Sequence, residues 1–127
     1  MAPPPSPLRM AGPVLSTPEP ARLAAFYAGL LGRLTLTAEE DWVKLGPPEG
    51  EGSPAFQRGP GFVPPEWPGA TGRPRTTAHL DIGTDDLDAG AARAVERGAR
   101  VAPHQPADDV RVCLDPAGHV FCLPTRT

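Results

Sequence analysis

Apolar positions along the chain alternate between two periods. GPVLS (12–16) is a short apolar run that reads as a strand. Thr17 then offers an N-cap and Pro18 a first-turn proline, a helix start. Over PEPARLAAFYAGLL (18–31), Leu23, Phe26, Tyr27, Leu30 and Leu31 recur at i, i+3, i+4, i+7 and i+8, one stripe of a helix, and Gly32 supplies the stop. RLTLT (33–37) and DWVKLG (41–46) alternate every second residue, and AFQR (55–58) is a further short strand, with a loop over 47–54. The order then repeats. TAHLDIG (77–83) is a strand, and Thr84 or Asp85 caps a helix, DDLDAGAARAVERG, with Leu87, Ala91, Ala94 and Val95 as its apolar stripe. Gly98 stops it. ARVAP (99–103), DVRVCL (109–114) and HVFCLP (119–124) are strands, the last two joined by an Asp-Pro-Ala-Gly turn.

Each half reads strand–helix–strand–strand–strand, and Gly32 and Gly98 lie sixty-six residues apart. One βαβββ unit of about 50 residues buries too little surface to stand alone, so two of them are expected to pair around a shared face. The predicted class is α+β: two βαβββ modules forming a curved, partly open mixed sheet. Module one spans 11–58, module two 76–125, and together they make one domain over 11–127. Residues 1–10 (MAPPPSPLRM) read as a disordered tail. The stretch 59–75, with five prolines and four glycines, is the linker between modules, and Phe62, Val63 and Trp67 give it apolar side chains to pack down.

Composition narrows the partners. Nineteen prolines and fourteen glycines concentrate in the tail and in 47–74, so the chain reads as ordered elements joined by stiff loops. The net charge of −3, with the arginines dispersed, argues against nucleic acid or an anionic membrane as partner. No run of 18 apolar residues exists, which excludes a membrane-spanning helix, and the absence of an apolar leader places the protein in the cytoplasm. There Cys113 and Cys122 stay reduced, although they sit on neighbouring strands of one hairpin where a bridge has the reach.

HLDIGTDDLDAGAARAVERGAR followed by DPAGHVFCL, with the AFYAGLLG helix and the EWP run, resembles the glyoxalase-like branch of the vicinal oxygen chelate superfamily, over roughly 12–124. The resemblance implies a concave face that holds a small ligand and, in the metal-dependent enzymes, a divalent ion. It also implies homodimers in many members. Metal ligands in that superfamily come from the first and last strand of each module. Those positions fall here at Gly12, counted back from Phe26, and at Gln57, His79 and Cys122. Gly12 offers no side chain, and Cys122 stands where the usual residue is glutamate. Hard divalent ions favour carboxylate and carbonyl oxygens, and catalytic zinc keeps three firm ligands. The expected cofactor is therefore none. If a metal is present, its ligands are His79, Gln57 and Cys122, and the ion is zinc, iron or nickel.

Each residue carries more than one reading. His79 is a ligand, a proton shuttle or a histidine satisfied by its neighbours. Gln57 is a ligand contact or polar lining. Cys122 is a nucleophile with His79 as its base, or a small buried thiol, the reading we favour. Asp81, two residues from His79, shares its strand face and is the one carboxylate there. Trp42, Phe56 and Trp67 are the aromatic walls of a cavity suited to a flat, apolar ligand. Arg111 is expected to pair with Asp108 or Asp109, and His119 and His104 to face solvent or a loop. The function expected is binding of a small apolar or aromatic metabolite or natural product in a metal-free cavity, with sequestration and resistance to a toxic compound one role. The alternatives are a lyase, isomerase or oxygenase of the same superfamily, metal-dependent or assisted by His79 and Cys122, and a structural protein that kept only the fold.

Overall fold

A computed structural model describes residues 2–47 and 52–125. The loop expected over 47–54 therefore lies partly outside the described residues. Eight strands and two helices follow in chain order: β1 (Val14–Thr17), α1 (Pro20–Leu31), β2 (Thr35–Ala38), β3 (Trp42–Leu45), β4 (Ala55–Arg58), β5 (Leu80–Asp81), α2 (Leu87–Glu96), β6 (Arg100–Val101), β7 (Val110–Leu114) and β8 (Val120–Pro124). They form two four-stranded mixed sheets that do not close, ordered β1-β4-β3-β2 and β5-β8-β7-β6. In each, the first strand pairs parallel with the last and the other neighbours run antiparallel. This is the α+β pair of βαβββ modules expected from the repeat. Residues 2–10 carry no helix or strand and are exposed.

The helices begin where local chemistry lets them. Thr17 Oγ1 accepts from Glu19 N–H at 3.2 Å instead of capping, so α1 starts at Pro20 rather than Pro18. α2 is capped by Asp86, whose carboxylate accepts from Ala89 N–H at 3.0 Å; Thr84 holds Asp86 in turn. Of the stripe expected on α2, Ala94 is buried but Val95 is 48% exposed.

One apolar core lies between the helices and both sheets. α1 contributes Leu23, Phe26 and Tyr27, sheet one Val43, Leu45 and Phe56, and sheet two Cys113, Phe121 and Leu123. Tyr27 stacks on Phe56 with ring centres 5.6 Å apart and meets Phe121 edge-on at 6.1 Å. Phe56, expected in the cavity wall, is thus a core residue. Gln57 follows it directly, and neighbours on a strand face opposite ways.

Both modules are tied by polar contacts as well. Asp115, in the β7–β8 turn, is buried. Its carboxylate accepts from Tyr27 Oη at 2.6 Å, from Ala117 N–H at 2.9 Å and from His119 N–H at 3.0 Å. The His119 ring is half-buried, not solvent-facing: it stacks on Phe62 at 4.6 Å and its Nε2–H donates to the Ser16 carbonyl at 2.7 Å, since a carbonyl can only accept. Gly118, at φ +95°, lets this turn sit against Pro64, where a Cβ would come within 2.8 Å of the proline ring. On the other side, Arg93 of α2 donates to the Gly29 carbonyl at the end of α1 at 3.1 Å.

The second module is braced by a side chain that stands in for a strand. Gln105 Nε2 donates to the Ala102 and Val112 carbonyls, at 2.8 and 2.9 Å, and its Oε1 accepts from Val112 N–H at 2.8 Å. Ala102 N–H also donates to the Val112 carbonyl at 2.9 Å, so the amide extends the pairing of β7 beyond the end of the short β6.

Burial drives the Asp115 carboxyl above the ordinary value of 3.8, with the Tyr27 hydroxyl and two amides acting the other way. A raised carboxyl contributes stability that is complete below 3.8 and lost as pH rises through its folded value. We therefore expect wild-type stability in urea to fall as pH rises from the low-pH side of that window, and Asp115→Asn to flatten the profile, because an amide keeps the acceptor and cannot ionise. Asp115→Ala, which orphans the Tyr27 hydroxyl and two buried amides, should cost roughly 3–5 kcal/mol in the same urea titrations.

Candidate functional site

The face of sheet two away from the helices carries the chemistry. Asp81 of β5 lies in register with Cys122 of β8. His79 precedes β5 by one residue and points the same way. Its Nε2 is 3.1 Å from Asp81 Oδ1, an ion pair when the imidazole is protonated. One donor atom from each of His79, Asp81 and Cys122 falls within 4.8 Å of the others. Both side chains of the His79–Asp81 pair are open to solvent, 44% and 62% exposed, while Cys122 is buried beneath them.

Cys122 belongs to an apolar cluster with Ala102, Val112 and Val120. Trp67, from the segment between modules, packs on that cluster and donates its indole N–H to the His104 carbonyl at 3.0 Å. The crossing segment therefore covers part of the face that a ligand would use. Burial raises the Cys122 thiol above its ordinary range, and the Asp81 carboxylate adds to it. Cys113 is pushed up to about 11, mainly by burial, with Cys122 adding to it and Arg111 opposing. Neither thiol is activated, and both are free. Cys122 pairs across to Val112 and Cys113 to Phe121, so the two thiols lie on opposite faces of the sheet and have no path to a bridge.

The expected donor set is not what the fold assembles. Gln57 lies on β4, in register with Ser16, and its Nε2 donates to Ser16 Oγ at 3.1 Å. Its neighbour across β3 is Trp42, half-buried on the same side. The group of three takes Asp81 in place of Gln57. Arg111 reaches Asp88 of α2 at 3.6 Å, a partner the loop reading did not include.

The ladder registers also correct the first position. Leu15 pairs with Phe56 and Ser16 with Gln57; Leu80 pairs with Phe121 and Asp81 with Cys122. Superposing the modules on these pairs sets Gln57 on Cys122, Ser16 on Asp81, and Val14 on His79. Val14, not Gly12, is the module-one counterpart of His79. Gly12 has a packing role instead: at φ +127° it passes so close to the Ser53 carbonyl that any Cβ would overlap it. Lys44 Nζ bonds both that carbonyl, at 2.7 Å, and the Ala11 carbonyl, at 2.8 Å, which fixes the entry to β1. Aligning the modules on their buried phenylalanines, sixty-five residues apart, rather than on the helix-stop glycines finds Val14 from sequence. Counting back from Phe26 gives Gly12 instead, two residues too early.

Imidazole, carboxylate and thiolate together suit zinc, and a hard ion such as manganese would be left with one carboxylate and a soft sulfur. Module one offers an amide oxygen at most: Val14 is apolar, and Gln57 gives its N–H to Ser16 and keeps its carbonyl.

The comparisons with known proteins agree with this architecture. No curated protein matches the chain. Among solved structures, a glyoxalase/bleomycin resistance protein/dioxygenase family enzyme from Burkholderia phytofirmans PsJN superposes with a TM-score of 0.68 at 15% identity, covering 91% of this chain and 97% of that one. Fosfomycin resistance protein FosX from Mesorhizobium loti does so at 0.64 and 18% identity, covering 93% and 92%. A FosX variant from Listeria monocytogenes, solved with Mn(II) and 1S,2S-dihydroxypropylphosphonic acid, gives 0.66 at 14% identity, covering 93% and 90%. At these identities the likeness is one of fold. A family model described as a glyoxalase-like domain matches residues 13–124, nearly the whole chain, and the protein belongs to that family.

Proposed function

We propose that this chain binds a small, largely apolar organic molecule and does so without an ion shared between its two modules. The observation that carries this is Val14 standing where module two has His79. A cross-module chelate needs a donor at that place, and an isopropyl group offers none. One further fact supports it: the Cys122 thiol is held neutral by burial. What remains is a half-exposed polar pair, His79 and Asp81, beside apolar surface from Val120, Cys122 and Trp67. Such a site orients a ligand by one or two hydrogen bonds and gains affinity from apolar contact. Holding a compound, rather than converting it, asks nothing more of these residues.

A second reading is favoured by the grouping of His79, Asp81 and Cys122 within 4.8 Å. Three such donors fit a zinc ion held by module two alone, with a position left open to a ligand oxygen. Zinc bound there would supply Lewis acidity, and loading it would release the Cys122 proton.

The two readings separate in one set of titrations. Metal-stripped protein should be stabilised in a thermal-shift panel of small apolar aromatic compounds, with the same shift after chelator is added; a panel without any hit overturns the binding reading. Zinc titrated calorimetrically should bind no tighter than micromolar, about −8 kcal/mol. Nanomolar zinc affinity lost in Cys122→Ser would instead establish the zinc site. Thiol reactivity gives an independent check. At pH 7, iodoacetamide should alkylate native Cys122 and Cys113 at least about tenfold more slowly than the urea-unfolded chain, because burial keeps both protonated.

A further inference from the structure

Between the modules, residues 66–75 form a closed loop. At its neck Glu66 and Arg75 bridge through their backbones, and Glu66 N–H donates to the Pro74 carbonyl at 2.8 Å. Arg73 adds an ion pair to Glu66 at 2.6 Å, and its N–H turns back on the Ala70 carbonyl at 3.1 Å. Residues 68–75 are all exposed. Beyond the neck, and among the described residues, one hydrogen bond ties the loop to the rest of the fold: Trp67 indole N–H to the His104 carbonyl, at 3.0 Å. The loop holds its own shape and is fastened by Trp67.

What Trp67 lies on is the apolar cluster of Ala102, Val112, Val120 and Cys122. Cys122 in turn borders the His79–Asp81 pair. This floor therefore already receives one aromatic group, a bicyclic ring whose single N–H finds an acceptor at the edge. A surface that takes such a ring from its own chain has the shape and polarity to take one from solution. Entry asks that the loop move aside as a unit, with its neck intact and one hydrogen bond broken. An exposed segment held at one point belongs to the parts of a fold that open most readily. The incoming ring covers the same floor, and its N–H takes the same carbonyl, so the exchange replaces what it removes.

We propose that Trp67 is an internal occupant of the ligand's seat. The ligand is a small flat bicyclic aromatic compound bearing a ring N–H; it displaces the indole, lies on Ala102, Val112, Val120 and Cys122, and donates to the His104 carbonyl. The proposal rests on the small-molecule-binding reading above and adds to it the ligand's class and the side chain that guards its seat.

Indole, and indene as the same shape without an N–H, test it, titrated into the full chain and followed by ¹⁵N–¹H spectra and calorimetry. The chain has two tryptophans, so Trp67 gives one of two indole N–H signals, identified as the one missing in Trp67→Phe. In the wild type, added indole should move that signal to the position of a solvent-exposed tryptophan, with backbone shifts at 102–104, 112 and 120–122. Indene should bind about three- to tenfold more weakly, the worth of one hydrogen bond. Trp67→Ala should bind indole at least about tenfold tighter than the wild type, because no closed state competes for the floor. Arg73→Gln, which loosens the loop and leaves the floor untouched, should bind it about two- to fivefold tighter, and decides the matter should Trp67→Ala fail to fold. Indole bound at saturation with the wild-type Trp67 signal unmoved overturns the displacement, and so does equal affinity in wild type and both loop variants. Indene binding as tightly as indole overturns the N–H in the ligand's class. No response to indole overturns the proposal, while the broader panel of neutral aromatics still decides the wider reading.

Discussion

The fold depends on Tyr27 finding partners in both modules at once. A four-stranded sheet with one helix leaves apolar surface on its far side and at its edges, and neither half of this chain buries enough to stand alone. Tyr27 answers this from α1. Its ring stacks on Phe56 of its own module and meets Phe121 of the other, and its hydroxyl ends on Asp115 in the far turn. The bond to a buried carboxyl is directional in a way that ring packing is not, so it fixes how far the β7–β8 turn sits from α1. His119, four residues on, then closes on the Ser16 carbonyl and pulls the turn to the edge of β1. The geometry of the module junction follows from these two contacts.

The internal repeat gives the site its logic. Module two carries His79, Asp81 and Cys122 at positions where module one carries Val14, Ser16 and Gln57. The scaffold is duplicated but the chemistry is one-sided. Module one has settled its polar groups among themselves, Gln57 on Ser16 and Lys44 on the Ser53 carbonyl. Module two leaves a histidine and a carboxylate open to solvent above a buried thiol.

Much of this was legible in the chain. Helices and strands followed from 3.6- and two-residue periods, and the repeat of their order gave the architecture. That His79 and Asp81 share a face followed from their spacing on one strand; that they pair did not. What escaped was mostly a matter of parity and register. Phe56 and Gln57 are adjacent and so face opposite sides; they could never line one cavity together, and the four-residue run already said so. Gly12 was found by counting through a helix start whose position two prolines and Thr17 decide, and the count slipped by two. Asp115 and His119 escaped for another reason. A polar residue in an Asp-Pro-Ala-Gly turn reads as turn chemistry, and only the approach of α1 from the other module shows that the turn is buried. Non-local burial leaves no mark on a local pattern.

Trp67 governs what can reach the apolar face of sheet two. The indole lies on the apolar face over Cys122 and is fastened by a single hydrogen bond to a loop carbonyl. Removing it from that face would expose Val112, Val120 and Cys122 to water, an apolar cost that one hydrogen bond regained from solvent does not offset. The covered face is therefore the more stable arrangement in the absence of a ligand. A compound that entered there would have to replace the indole with comparable apolar area. The His79–Asp81 pair at the rim of that face demands no such exchange, since both side chains already face solvent.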